Sequence, residues 1–207
     1  MGTNSNAPYG LKLERQGPES RTMTVMFDTG ESNNIGVGDV VKTAGGSNSI
    51  DKGPIVKLCA LCNSGDAMFG VVEGLQEHLI VGSGMALDRK YRPASTAMYA
   101  LIRVANNSDT YSVQADDVGT LVGTANVGKN ANLTGNAGGT TISTCNTASG
   151  QSTIELDSST IATTATLQVK IVGFVDRCDN YPGVANQKLE VQLNNVESSG
   201  STGTAGV

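Results

Sequence analysis

Tryptophan is absent, histidine occurs once, and aromatic residues make up only 4% of the 207 positions. Sugar-binding and single-strand-binding platforms lean on aromatic faces, so this scarcity weighs against both. The single histidine, His78, has no Gly-x-Ser-x-Gly elbow to serve, and one imidazole without that motif fails the geometric requirement of a hydrolase triad. Positive charge is thin as well. The 14 Lys and Arg are scattered singly against 19 Asp and Glu, giving a net charge of −5. No basic stripe exists to neutralise phosphates, so no nucleic-acid partner is expected, and an anionic membrane would repel the surface. No apolar run approaches the roughly 20 residues that cross a bilayer. The polar start, Met1 to Asn6, carries no signal-peptide core, so synthesis and retention in a cytoplasm are expected, a setting that disfavours structural disulfides.

What the chain does have is glycine, 26 residues of it, together with much Ser, Thr and Asn. Such a composition spends residues on turns and strand surfaces. Short β-like runs recur: Met23, Val25 and Phe27; Val40 and Val41 after the Gly36–Asp39 turn; Ile55 to Cys62; and Met68 to Glu73. They are punctuated by Gly and Asp, the pattern of small barrels and sandwiches. Residues 97–104 and 111–113 read as a hairpin around the Asn106–Asp109 turn. Leu167 to Gly173 and Lys188 to Leu193 alternate most cleanly, and Gly173 marks a bulge. The fold class expected is all-β, a β-sandwich or jelly-roll-like barrel with long loops and little helix. Residues 1–20 read as an extended N-terminal arm anchored by Tyr9 and Leu11. Residues 21–197 read as the all-β domain, with a candidate internal boundary near residues 82–92. Residues 198–207 read as a flexible tail. Residues 119–150 offer few anchors, so partial order is expected there. No repeat of fixed period is visible.

Each chemical candidate has a plainer reading. Cys59 and Cys62 have Cys-x-x-Cys spacing, but at the end of a β-like run rather than at the opening of a helix. A zinc site would need Cys145 and Cys178 as well, and these are single; small apolar cysteines are the expectation, with no metal and no cofactor. Ile80 to Leu87 imitates a dinucleotide fingerprint but lacks its third glycine. Asp116-Asp117 and Asp176-Arg177-Cys178-Asp179 read as turn caps and local ion pairs.

Three ordered blocks carry a resemblance. They are Asn6-Ala7-Pro8-Tyr9-Gly10-Leu11; Tyr91-Arg92-Pro93-Ala94-Ser95-Thr96; and a C-terminal block. The last comprises Glu155-Leu156-Asp157-Ser158-Ser159, Ala165-Thr166-Leu167-Gln168-Val169 and Gly173-Phe174-Val175-Asp176-Arg177. Together they resemble capsid cement (decoration) proteins of tailed bacteriophages. The pattern has Pro where this chain has Cys178, and Pro-Val near Leu13-Glu14. The resemblance implies no active site. It implies a virion protein on the outer capsid surface, partnered by the major capsid protein and by itself as a dimer or trimer. In that setting Pro8, Tyr9 and Leu11 of the arm, with Tyr91, Arg92 and Pro93, are the expected inter-subunit contacts. Two other readings compete: a virion-surface glycan-binding or host-adhesion module using the loops between Gly119 and Gly150, and a zinc enzyme built on the four cysteines.

Overall fold

The computed structural model describes residues 3–49, 53–76, 90–116, 121–135, 145–199 and 203–207. The expected all-β class is what it shows. Eleven strands follow in order: β1 (Lys12–Arg15), β2 (Thr22–Phe27), β3 (Val40–Asn48), β4 (Val56–Leu61), β5 (Gly70–Gln76), β6 (Met98–Val104), β7 (Thr110–Gln114), β8 (Asn130–Thr134), β9 (Glu155–Ala162), β10 (Val169–Phe174) and β11 (Lys188–Leu193). Helix among the described residues is limited to single 3-10 turns at Thr124–Asn126 and Glu197–Ser199.

The N-terminal half closes into a five-stranded barrel, in the order β2-β4-β3-β5-β6. Period-2 alternation sends every second side chain inward. Val25 and Phe27, Val41, Cys59 and Leu61, Val72, and Ala100 and Ile102 meet there, with Ile35 from a loop.

The C-terminal half is a six-stranded sheet, β1-β7-β11-β10-β8-β9. It curls until Ala115, just past β7, meets Leu156 of β9 in a parallel bridge. There the Asp116 N–H donates to the Leu156 carbonyl at 3.0 Å, and the Asp116 carboxylate accepts from the Ser158 N–H and hydroxyl at 3.0 and 2.6 Å. With that closure, the ring β7-β9-β8-β10-β11 repeats the ring β2-β4-β3-β5-β6 strand for strand. In both, the first and third strands are parallel and the other contacts antiparallel.

The register repeats too. Val25 corresponds to Val113, Phe27 to Ala115, Val41 to Ala131, Cys59 to Leu156, Val72 to Ile171, Ala100 to Leu189 and Ile102 to Val191, and all of these are buried. The fourth strand of each barrel shifts register at a glycine, Gly74 in β5 and Gly173 in β10, the latter a bulge the sequence predicts. Each second strand is entered through Val-Gly, with Gly38 at φ +92° and Gly128 at φ +91°. Gly38 N–H donates to the Val72 carbonyl and Gly128 N–H to the Ile171 carbonyl, each at 2.8 Å. The chain is therefore two copies of one barrel. Residues between strands differ in number, so the separation of Val72 from Ile171 exceeds that of Val25 from Val113 by eleven. That is why no fixed period shows.

Several expectations are corrected. β6 and β7 do not form a hairpin: β6 pairs with β2 and β5, and β7 with β1 and β11. Both strands are buried on two faces, so each needs its own barrel around it, and the turn between them is a corner. Asn106 holds that corner by accepting from the Ser108 and Asp109 N–H groups, while Asp109 accepts from Gly17 N–H and the Ser20 hydroxyl. The barrels divide here, not near residues 82–92, since β5 and β6 on either side of that stretch pair with each other. The arm lies along its own chain: Asn4 is buried and its amide donates to the carbonyls of Tyr181 and Ala185. The end of the tail is also docked. Thr204 accepts from the Asn130 amide at 2.8 Å, and Val207 N–H donates to the Gly128 carbonyl at 3.1 Å.

Candidate functional site

The two segments expected to make contacts converge on one turn. Leu11 N–H donates to the Gly38 carbonyl at 3.0 Å, and Arg92 exchanges both backbone hydrogen bonds with Ile35, at 2.7 and 2.9 Å. Between them, Val37 pairs with residues 150–152, donating to Gly150 and accepting from Ser152. Arm, turn and loop are thus backbone neighbours although far apart in sequence.

The side chains divide into two groups. Leu11 is 3% exposed and belongs to the C-terminal core. Arg92 is fully buried, its guanidinium donating to the carbonyls of Asp28, Glu31, Asn33 and Thr96 at 2.5–2.8 Å. It ties the loop leaving β2 to the loop entering β6, and burial pushes its pKa down from the usual arginine value. Neither Leu11 nor Arg92 has side-chain surface to offer a partner, because each is used up inside its own chain; this corrects their assignment as contacts. Pro8, Tyr9, Tyr91 and Pro93 are half-buried and keep some surface, and Val37 between them is exposed. Burial raises the Tyr9 phenol, partly countered by a hydrogen bond with Ser112.

Three of the four cysteines are buried as small apolar residues. Cys59, Cys62 and Cys145 are buried and Cys178 is exposed, all with free thiols. Burial pushes Cys59 and Cys145 up to about 12 and raises Cys62 well above the ordinary thiol value. These three are therefore thiols rather than thiolates at neutral pH, and poor nucleophiles. Among the described residues no three His, Cys, Asp or Glu side chains gather as a metal site. Arg177 and Asp179 form the expected local ion pair, at 3.0 and 3.1 Å. His78, Asp117 and the Ile80–Leu87 run lie outside the described residues.

A shallow cleft of about 170 Å³ opens at the mouth of the N-terminal barrel, lined by Arg21, Lys57, Phe69, Val104 and Glu197 among others. The Lys57 ammonium stands 4.4 Å from the centre of the Phe69 ring. Sequence reasoning passed over this mouth, since its residues come from five separate segments. No protein-family model matches this chain, and neither a curated protein nor a solved structure matches it.

Proposed function

We propose that this chain is a structural virion protein, a decoration protein that binds the outer surface of a tailed-phage capsid and clamps neighbouring shell subunits. The observation that carries the reading is the duplicated barrel locked into one body. β1 pairs with β7 in one barrel while Leu11 bonds Gly38 in the other. Glu197 accepts from the N–H and hydroxyl of Thr43 at 2.8 and 2.9 Å, and the Gln168 amide donates to the carbonyls of Asn63 and Asp66 at 3.1 Å. A shell presents the same site many times over. Two like units held at a fixed spacing suit two like sites, and a rigid pair loses little entropy when the second one engages. The resemblance of the three sequence blocks points the same way. Pro8, Tyr9, Tyr91 and Pro93 are the side chains assigned to the contact.

The test is quantitative mass spectrometry of purified virions. Copy numbers on the order of hundreds per particle, as shell symmetry requires, are expected. A handful of copies, or none, overturns the reading. The triple variant Tyr9→Ala, Tyr91→Ala and Pro93→Ala should remain folded and lose attachment to shells.

A further inference from the structure

The barrels differ at one place that their common register makes directly comparable. In the C-terminal barrel, β1 lies antiparallel on the outer side of β7, with Lys12 opposite Ser112 and Leu13 opposite Tyr111. It fills the gap between the start of β7 and residues 152–154, so closely that a Cβ on Gly10 would stand 2.4 Å from Ser152. In the N-terminal barrel, Thr22, Met23 and Thr24 hold the places of Thr110, Tyr111 and Ser112. Ile55, Val56 and Lys57 hold the places of Ser152, Thr153 and Ile154. No strand among the described residues lies in this second gap, because β4 joins β2 only at Met26 and Phe27.

The backbone and the burial both point to a vacant strand position. Val104 N–H donates to the Arg21 carbonyl, so alternate residues Arg21, Met23 and Val25 turn their polar groups toward β6. Thr22 and Thr24 turn theirs toward the gap. Tyr111 and Ser152 beside the filled gap are 1% and 0% exposed, whereas their counterparts Met23 and Ile55 beside the empty one are 36% and 76% exposed. An edge of this kind is what an added strand pairs with.

We propose that the open edge of β2 is a strand-addition site for an extended segment of another protein, antiparallel to Thr22–Thr24, with the pattern apolar-x-apolar-acidic. The pattern comes from the filled gap. Leu11 and Leu13 point to the core, and Glu14 accepts from the Ser112 hydroxyl at 2.7 Å. Thr24 offers a hydroxyl at the place of Ser112, and exposed Arg21 and Lys57 flank the cleft at the same barrel end, which favours acidic neighbours. The occupant is a foreign strand rather than a second copy for a reason of count. The described residues hold two such gaps and one arm strand, and that strand already fills the gap at β7. Lending it out would only uncover Tyr111. The inference uses the duplication alone and does not depend on the virion reading.

The test is a titration of the full-length protein, labelled at methionine methyls, with the acetylated and amidated peptide Gly-Leu-Glu-Leu-Glu-Glu. The Met23 methyl signal should shift and saturate, and a control peptide with proline in place of its second leucine should leave it unmoved. Thr24→Pro removes an N–H aimed at the gap and none aimed at β6, so it should weaken binding at least about tenfold. Met23→Asp, a surface change, should do the same. An unmoved Met23 signal, unchanged binding by both variants, or a shift of the Met68 methyl, which shares a core with Leu11 of the arm and Tyr111, would each overturn the proposal. So would concentration-dependent dimerisation abolished by Met23→Asp, which would assign the edge to a second copy.

Discussion

The two barrels share strand order, register and even the left-handed glycine at the same entry turn, yet their interiors share few side chains. Phe27 in one faces the position that Ala115 holds in the other; Cys59 answers to Leu156, and Ala100 to Leu189. Where one barrel is large the other is small, so similar volume is filled by different residues. Close packing constrains total volume and shape more strongly than identity. The barrels differ more in how they are sealed. The C-terminal barrel is finished by β1 and the end of the tail. The N-terminal barrel is held together by the Arg92 guanidinium and, among the described residues, has no strand against the start of β2.

Arg92 is where the comparison breaks most severely. Arg92→Ala would leave the Asn33 and Thr96 carbonyls without this donor, take one of two donors from the Asp28 and Glu31 carbonyls, which also accept from the Glu31 and Ser95 N–H groups, and empty the space of a fully buried side chain; it should cost about 4 kcal/mol. Denaturant unfolding followed separately at Phe27 and at Tyr111 should show the N-terminal barrel failing first. Arg92→Lys should recover only part, since a single ammonium cannot reach four carbonyls in a plane. Next in size is Phe27→Ala, which should cost about 3 kcal/mol through the cavity it opens. Adding Ala100→Leu, the arrangement of the other barrel, should return about 1 kcal/mol in a double-mutant cycle. Strict additivity would show that the two interiors are not interchangeable solutions.

The entry glycines sharpen the comparison at smaller scale. Both have positive φ, but a Cβ on Gly38 would stand 2.8 Å from the Tyr9 backbone carbonyl, while one on Gly128 would meet a methyl of Val207 at 2.7 Å. A backbone atom yields less than a side-chain tip. Gly38→Ala should therefore cost about 2 kcal/mol and Gly128→Ala about 1 kcal/mol, read from shifts in midpoint. The smallest effect is electrostatic. Lys42 of β3 pairs with Asp66 at 2.6 Å, where the C-terminal barrel has the neutral Asn132 in place of the lysine. Burial raises the Asp66 carboxyl, but the Lys42 ammonium and Asn63 outweigh it and hold it below the usual carboxylate value. Its stabilisation is present above the ordinary carboxylate pKa and is lost as pH falls through the lowered one. Both groups are about a third exposed, so Asp66→Asn should remove well under about 1 kcal/mol at neutral pH and nothing in strong acid.

Eight of the eleven strands were readable as apolar or alternating runs. β1, β8 and β9 were not, because their inward positions carry few apolar residues. β8 buries Asn130, whose amide donates to the carbonyls of Thr164 and Thr204, and β9 is anchored through the Asp116 carboxylate. Such strands are held by side-chain hydrogen bonds to distant segments, which leave no alternation behind. The blocks around Tyr9 and Tyr91 do meet at one turn, but Leu11 and Arg92 serve the interior.

Alternation and turn residues were enough to make this chain all-β, because those properties are written residue by residue. Which strands pair, where one barrel ends and that the second repeats the first were decided only by the tertiary structure. Ladder hydrogen bonds join backbones and carry no side-chain identity, and a buried interior fixes volume without fixing residues. The edge of β2 that no described strand covers came to light in the same way: Thr22, Met23 and Thr24 read like any other strand start until their counterparts at β7 are found covered.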